Sequence, residues 1–234
     1  MQENKYPDHI GIIMDGNGRW ATKRSLPRTM GHFEGIKAAK RVVKAATELQ
    51  IPFITFYVFS TENWRRPKEE VKYLMNLLSS RLFSETDFYN RLGAKILIRG
   101  DLDKFPKDVA ATMDATQEAT RDNEKITVSL AVNYGGQDEI IRAVRKWAKF
   151  TEDRPCLNTE TLRTFFDHPF IPPVDLIIRT GGEKRLSNFL LWDSAYAELA
   201  FFDTLWPQWG AAELKNACED FAGRTRRFGG VLNE

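Results

Sequence analysis

Two loops in this sequence combine glycines with arginines directly after apolar runs. The first is Asp15-Gly16-Asn17-Gly18-Arg19-Trp20. The second is Arg179-Thr180-Gly181-Gly182-Glu183-Lys184-Arg185-Leu186-Ser187-Asn188. Glycines let backbone N–H groups approach a ligand closely, and guanidinium forks match phosphate oxygens. Asp15 is a hard oxygen donor of the kind that holds Mg²⁺. Arg28 and His32 add positive charge, preceding and opening the next helical pattern. A third loop, Ser60-Thr61-Glu62-Asn63-Trp64-Arg65-Arg66-Pro67, sets an amide, an indole and two arginines before a proline, where it can close over an anion. Glu198 lies among apolar and aromatic neighbours, and an isolated carboxylate there must be exposed or paired. With Asp15 it would make a two-carboxylate Mg²⁺ site. A competing reading takes Gly16-Asn17-Gly18-Arg19-Trp20-Ala21 as a dinucleotide fingerprint. Asp15 would then repel the pyrophosphate, Trp20 would crowd the helix, and the ribose-binding acid is missing at its usual spacing of ~20 residues.

The elements that must position these loops are legible as short apolar runs at residues 9–14, 53–59, 94–98, 126–132 and 174–178, with 198–202 as a sixth. Their continuity predicts strands buried on both faces, as in a parallel sheet. Helical spacing of apolar residues falls at 32–49, 67–82, 107–121, 137–150, 159–166 and 211–226. Alternation of strand and helix predicts a single α/β domain over 1–234, with a mostly parallel sheet of about six strands. Ligands then sit beyond the carboxyl ends of the strands, where all three loops lie.

Composition bounds the rest. The 234 residues suit one domain, and 42% hydrophobic with 28% charged excludes a disordered chain. Thirty-four basic against 32 acidic residues argue against a general nucleic-acid binder. No apolar run reaches the ~20 residues of a membrane span, and the opening residues lack a secretory pattern. Two widely spaced cysteines predict reduced thiols, so a cytoplasmic location is expected. With three histidines, no GxxxxGK[ST] loop, no G-x-S-x-G elbow and no HExxH, the commoner kinase, hydrolase and metalloprotease chemistries are set aside.

HIGIIMDGNGRWA at 9–21, Gly31-His32, FSTENWRRP at 59–67, NYGG at 133–136 and the block at 178–199 resemble the cis-prenyltransferases. The resemblance runs in order through nearly the whole chain and implies Mg²⁺-dependent addition of isopentenyl diphosphate to an allylic primer such as farnesyl diphosphate. It implies a long polyprenyl product of the undecaprenyl type, a homodimer, and transient contact with the inner membrane face on product release. Carried over by position, Asp15 is the central acid and metal residue. Gly16, Asn17, Gly18, Arg19, Trp20, Arg28 and His32 face the allylic diphosphate. Arg179, Arg185, Leu186 and Ser187 face isopentenyl diphosphate, while Ser60, Thr61, Glu62, Asn63, Trp64 and Arg66 form the loop that joins the substrates. Glu198 would reach the metal across the dimer, and Arg227-Phe228-Gly229 the neighbouring subunit's site. Asn63 stands where the family places the proton acceptor. A carboxamide is barely basic, so positioning of a phosphate oxygen is the alternative. Each added five-carbon unit carries about 4 kcal/mol of apolar transfer energy, which calls for an oily tunnel. Residues 71–82, with Phe56, Ile96 and Leu130, are the expected wall. A non-catalytic accessory subunit and a nucleotide-binding α/β protein are the other classes.

Overall fold

The computed structural model describes residues 5–149 and 155–227. Six strands form one parallel sheet: β1 (His9–Ile13), β2 (Phe53–Ser60), β3 (Ala94–Arg99), β4 (Ile126–Tyr134), β5 (Leu176–Arg179) and β6 (Glu198–Phe201), in the order β3-β4-β2-β1-β5-β6. The helices are α1 (Asn17–Thr22), α2 (Arg28–Glu48), α3 (Lys68–Leu82), α4 (Thr86–Leu92), α5 (Lys107–Ala119), α6 (Gly136–Ala148), α7 (Thr159–Arg163) and α8 (Ala211–Ala222).

The apolar runs are unbroken because both sheet faces are covered. Ile10, Ile12, Phe56, Val128 and Ile178 pack on the side of α2, α3, α5 and α8. Ile13, Ala131 and Ile177 point the other way, against Phe189 and Leu190. This alternation along each strand is the period-two geometry of a pleated sheet. After β1 the chain moves to β2 on one side, and it later returns on the other side as β5. The crevice at such a reversal is where this architecture takes ligands.

Several boundaries differ from the sequence expectation. α2 begins at Arg28, because Pro27 carries the extended backbone of an N-cap (φ −54°, ψ 141°). Arg28 is therefore the first helical residue, and His32 lies one turn inside on the same face. No helix follows Asn188 in the segment 189–196. Ser187, Asn188 and Leu190 have φ of 50°, 65° and 44°, which bends the chain out of any helical path. α4 was not legible as a helix, although Gly93 closes it in the left-handed conformation (φ 66°). β5 begins at Leu176 rather than at 174, and α8 ends at Ala222.

A buried ionic knot fixes the β3 end of the sheet. Arg99, 2% exposed, donates to Glu139 at 2.8 and 3.0 Å and to Asp193 at 2.7 Å. Tyr134 donates to Glu139 and Arg163 to Asp193, so both carboxylates are fully engaged. Cys218 is buried, Cys156 is exposed, and neither is disulfide-bonded. No helix of the described residues is long and apolar enough to cross a membrane. Removing one partner of such a pair strands the others, so Arg99→Leu is expected to cost about 3–5 kcal/mol in equilibrium denaturation. A loss below about 1 kcal/mol would show that the knot contributes nothing net.

Candidate active site

Register sets the centre of the site. Ile13 of β1 pairs with Arg179 of β5, so Asp15, two residues farther, turns back over the Arg179 side chain. Asp15 Oδ2 accepts from Arg179 Nη2 at 3.0 Å, and Oδ1 forms an ion pair with Arg19 Nη2 at 3.0 Å. Burial alone would raise the Asp15 pKa. The hydrogen bonds from Arg179 and Arg19 outweigh it and hold the carboxyl below its ordinary range. Arg179 is itself only 4% exposed. Its Nη1 donates to the Arg185 carbonyl at 2.6 Å and to Ser187 Oγ at 2.8 Å, while its buried Nε has no protein partner. The 181–188 loop is thus wrapped around the guanidinium.

Small residues make this approach possible. Gly181 (φ 84°) leaves no side chain where a Cβ would stand 2.6 Å from Arg19 Nη2. Gly31 admits the α1 backbone, since a Cβ there would lie 1.9 Å from the Asn17 carbonyl oxygen. Thr180 Oγ1 donates to the Asp15 carbonyl at 2.7 Å, and the Trp206 N–H donates to that same oxygen at 3.0 Å. The acid is pinned by its backbone as well as its side chain.

The loop after β2 forms a 3₁₀ turn, Thr61–Arg65. Asn63 Oδ1 accepts from the Ser60 N–H at 3.0 Å and so caps this turn. Trp64 Nε1 donates to Asn133 Oδ1 at 2.8 Å, and its ring packs edge-on against Phe59 and Phe105. Arg66 pairs with Glu70 at 2.9 Å, beside His32. Burial first, then Arg66 and Arg28, lowers the His32 pKa to about 4, so the imidazole is neutral near pH 7.

Asp15, Asn17, His32, Ser60, Glu62, Asn63, Arg66, Arg179, Arg185 and Ser187 line one cleft of about 650 Å³. Leu74, from the expected wall, and Asn188, from the second loop, join them there with Tyr57 and Val58, which the sequence did not single out. A second cavity of about 150 Å³ lies beneath, between α2, α3 and the sheet. Ile36, Ala39, Val43, Phe56, Leu74, Leu77, Leu78 and Leu130 line it. Met14, Asn17, His32, Val58 and Leu74 border both spaces, so the polar cleft and the apolar cavity lie side by side across a shared wall. Phe56 and Leu130 stand in that wall as expected, whereas Ile96 is ordinary core and does not line it.

Other sequence candidates stand elsewhere. Arg28 lies over Gly18, where a Cβ would meet its guanidinium at 2.7 Å, and Gly16 takes the left-handed turn (φ 106°) that starts α1. Trp20 lies under the Arg24 guanidinium, and Leu186 packs against the apolar cluster around Phe189. Thr61 and Trp64 support the turn rather than line the cleft. The largest correction concerns Glu198. It begins β6, level with Leu176 and hence with Ile10, five residues before Asp15. At ~3.3 Å per residue the two carboxylates lie ~16 Å apart along the strands. Glu198 instead accepts from Arg224 at 2.9 Å, so one chain does not make a two-carboxylate site from this pair. Among the described residues no cluster of three or more His, Cys, Asp or Glu is arranged to hold a metal. Phe228 and Gly229 lie outside the described residues.

The chain is similar to known proteins over nearly its whole length. Residues 13–229 match the family model described as putative undecaprenyl diphosphate synthase. An isoprenyl transferase of Treponema denticola is 49% identical over 94% of this chain and 96% of its own length. One from Aquifex aeolicus is 43% identical over 98% of this chain and 99% of its own. A probable undecaprenyl diphosphate synthase from Campylobacter jejuni superposes with a TM-score of 0.82 at 34% identity, covering 98% of this chain and all of that one. Lavandulyl diphosphate synthase from Lavandula x intermedia, solved with dimethylallyl diphosphate, gives 0.90 at 29% identity over 97% of this chain and all of that one. With a family model spanning most of its length and relatives this similar over nearly their whole chains, the protein belongs to the isoprenyl transferase family.

Proposed function

We propose that this chain condenses isopentenyl diphosphate in cis with an allylic diphosphate, farnesyl diphosphate being the primer, to make a long polyprenyl diphosphate of the undecaprenyl class. The observation that supports this reading is a cation-lined cleft set directly beside an apolar cavity, with five lining residues in common. A substrate with two phosphates at one end and a growing hydrocarbon at the other fits both spaces at once. A nucleotide would leave the oily space unused, and an accessory subunit would not need the intact Asp15–Arg19–Arg179 arrangement.

Two diphosphates in one cleft repel each other. Arg19, Arg66, Arg179 and Arg185 offset that charge and favour departure of pyrophosphate as the allylic C–O bond breaks. The alkene of isopentenyl diphosphate attacks the allylic carbon, and a proton is then lost. Asn63 already uses its carboxamide oxygen to cap its own turn, which favours a positioning role over that of base. A phosphate oxygen is the better acceptor. The residues fit Mg²⁺ of the kind held by one carboxylate and substrate phosphates: Asp15 is ionised, partly exposed at 29%, and set among phosphate-matching cations. Bound there, the ion would neutralise diphosphate charge. In a homodimer, Glu198 on the β6 edge would serve the partner's cleft, and product would pass to the membrane by transient contact.

Incubation with labelled isopentenyl diphosphate, farnesyl diphosphate and Mg²⁺, with products sized by chromatography, tests the reading. Labelled long-chain product is expected, and its absence contradicts the proposal. Arg179→Lys keeps the charge but loses the fork around Asp15 and Ser187, and is expected to lower kcat/KM about 100-fold. Ala39→Phe fills the cavity and is expected to shorten the products while initial condensation continues; unchanged chain length would place the hydrocarbon elsewhere. His32 has a folded pKa below its unfolded value of about 6.5. Its stabilising contribution is complete above pH 6.5 and is lost as pH falls towards 4. An NMR titration of the free protein is expected to give a His32 midpoint near 4, and a midpoint near 6.5 would contradict its burial.

A further inference from the structure

Three separate segments meet at Asn188. Its Nδ2 donates to Glu62 Oε1 at 3.0 Å, its Oδ1 accepts from the Gln137 N–H at 2.9 Å, and its carbonyl accepts from the Gly136 N–H at 2.6 Å. Gly135 leaves the space for this junction, because a Cβ there would stand 2.6 Å from Asn188 Nδ2 and 2.8 Å from Thr61 Oγ1. The NYGG sequence thus has a physical role: its first glycine lets the 3₁₀ turn and the 187–188 loop touch. The contact comes at a conformational cost, since Ser187 and Asn188 both adopt left-handed backbone that L-residues seldom occupy. Burial raises the Glu62 pKa, but the Asn188 hydrogen bond and those within its own turn lower it further, keeping an anion opposite the amide. One residue earlier, Ser187 Oγ holds Arg179, which holds Asp15. Hydrogen bonds on either side of the Ser187–Asn188 peptide link therefore join the turn carrying Asn63 and Arg66 to the Asp15–Arg179 centre.

We infer that Asn188 is a positioning residue, a latch that couples the Thr61–Arg65 turn to the Arg179–Ser187 anion clamp and so fixes the two halves of the cleft relative to each other. This rests on the prenyl-transfer reading for its catalytic consequence, but not for the latch itself. Asn188 touches no reacting atom in this account; it acts through Glu62 and Ser187.

Three variants separate the latch from a merely structural role. Asn188→Gly favours the same left-handed backbone but removes both side-chain bonds. Asn188→Asp keeps an acceptor for the Gln137 N–H but faces Glu62 with a carboxylate. Glu62→Ala removes the latch from the other side. Asn188→Gly is expected to keep the parent unfolding temperature, to lower kcat about 10- to 100-fold, and to speed amide hydrogen exchange in residues 60–66 about tenfold. Asn188→Asp is expected to be at least as impaired. The loss in Asn188→Gly combined with Glu62→Ala is expected to fall well short of the product of the single losses. Parent-like kcat and parent-like exchange in Asn188→Gly, parent activity in Asn188→Asp, or independent single losses would each overturn the latch. If the parent makes no prenyl product yet exchange at 60–66 still rises in Asn188→Gly, the functional reading fails and the latch stands.

Discussion

A guanidinium sealed at the end of an apolar strand must find an anion, and in this protein it finds Asp15. The rest of the site depends on that pairing. Arg179 is nearly inaccessible, and stranding a buried charge costs several kcal/mol, so the pair fixes β1 and β5 in a single register at their carboxyl ends. The same guanidinium organises the loop beyond it through Ser187 and the Arg185 carbonyl. Because Asp15 remains ionised and partly exposed, the pair is also a site of concentrated charge facing the cleft. Packing and chemistry draw on the same two side chains.

Around this centre the architecture divides labour by chemistry. The carboxyl ends of β2, β1 and β5 carry the polar groups, while the sheet face under α2 and α3 carries the apolar lining. The two spaces meet at Met14, Asn17, His32, Val58 and Leu74. Neutral His32 is well chosen for that border. A charged imidazole would be desolvated beside the oily space, whereas a neutral ring can still contribute a hydrogen bond to a passing phosphate.

Much of this was legible from residue types. Continuous apolar runs announced a parallel sheet buried on both faces, and Gly-Arg loops at the ends of two of them announced an anion site. An arginine closing an apolar strand needs a counter-charge, and the register across β1 and β5 brings Asp15 to Arg179. What could not be read was long-range geometry. Glu198 has the composition of a buried functional acid, but strand polarity puts it at the amino end of β6, far from Asp15 within the chain. Asn188 looked like one polar residue in a loop, because its importance comes from Gly135 and Glu62, each more than 50 positions away. The backbone is turned left-handed there to make those contacts, which residue types alone do not announce. Tyr57 was hidden differently: it reads as one more aromatic of β2, yet its hydroxyl donates to the carbonyls of Tyr134 and Ser187 at 3.2 Å.

Under the proposed function, one amphiphile would occupy both spaces, its diphosphate against the Asp15–Arg179 centre and its hydrocarbon between α2 and α3. A crystal structure of the protein with a non-cleavable thiodiphosphate analogue of farnesyl diphosphate tests it most directly. Diphosphate oxygens are expected within hydrogen-bond distance of Arg19 or of the α1 backbone N–H groups, and prenyl carbons against Ala39, Leu74 and Leu78. A hydrocarbon tail lying in solvent or in another groove, with the space beneath His32 left unfilled, would contradict it.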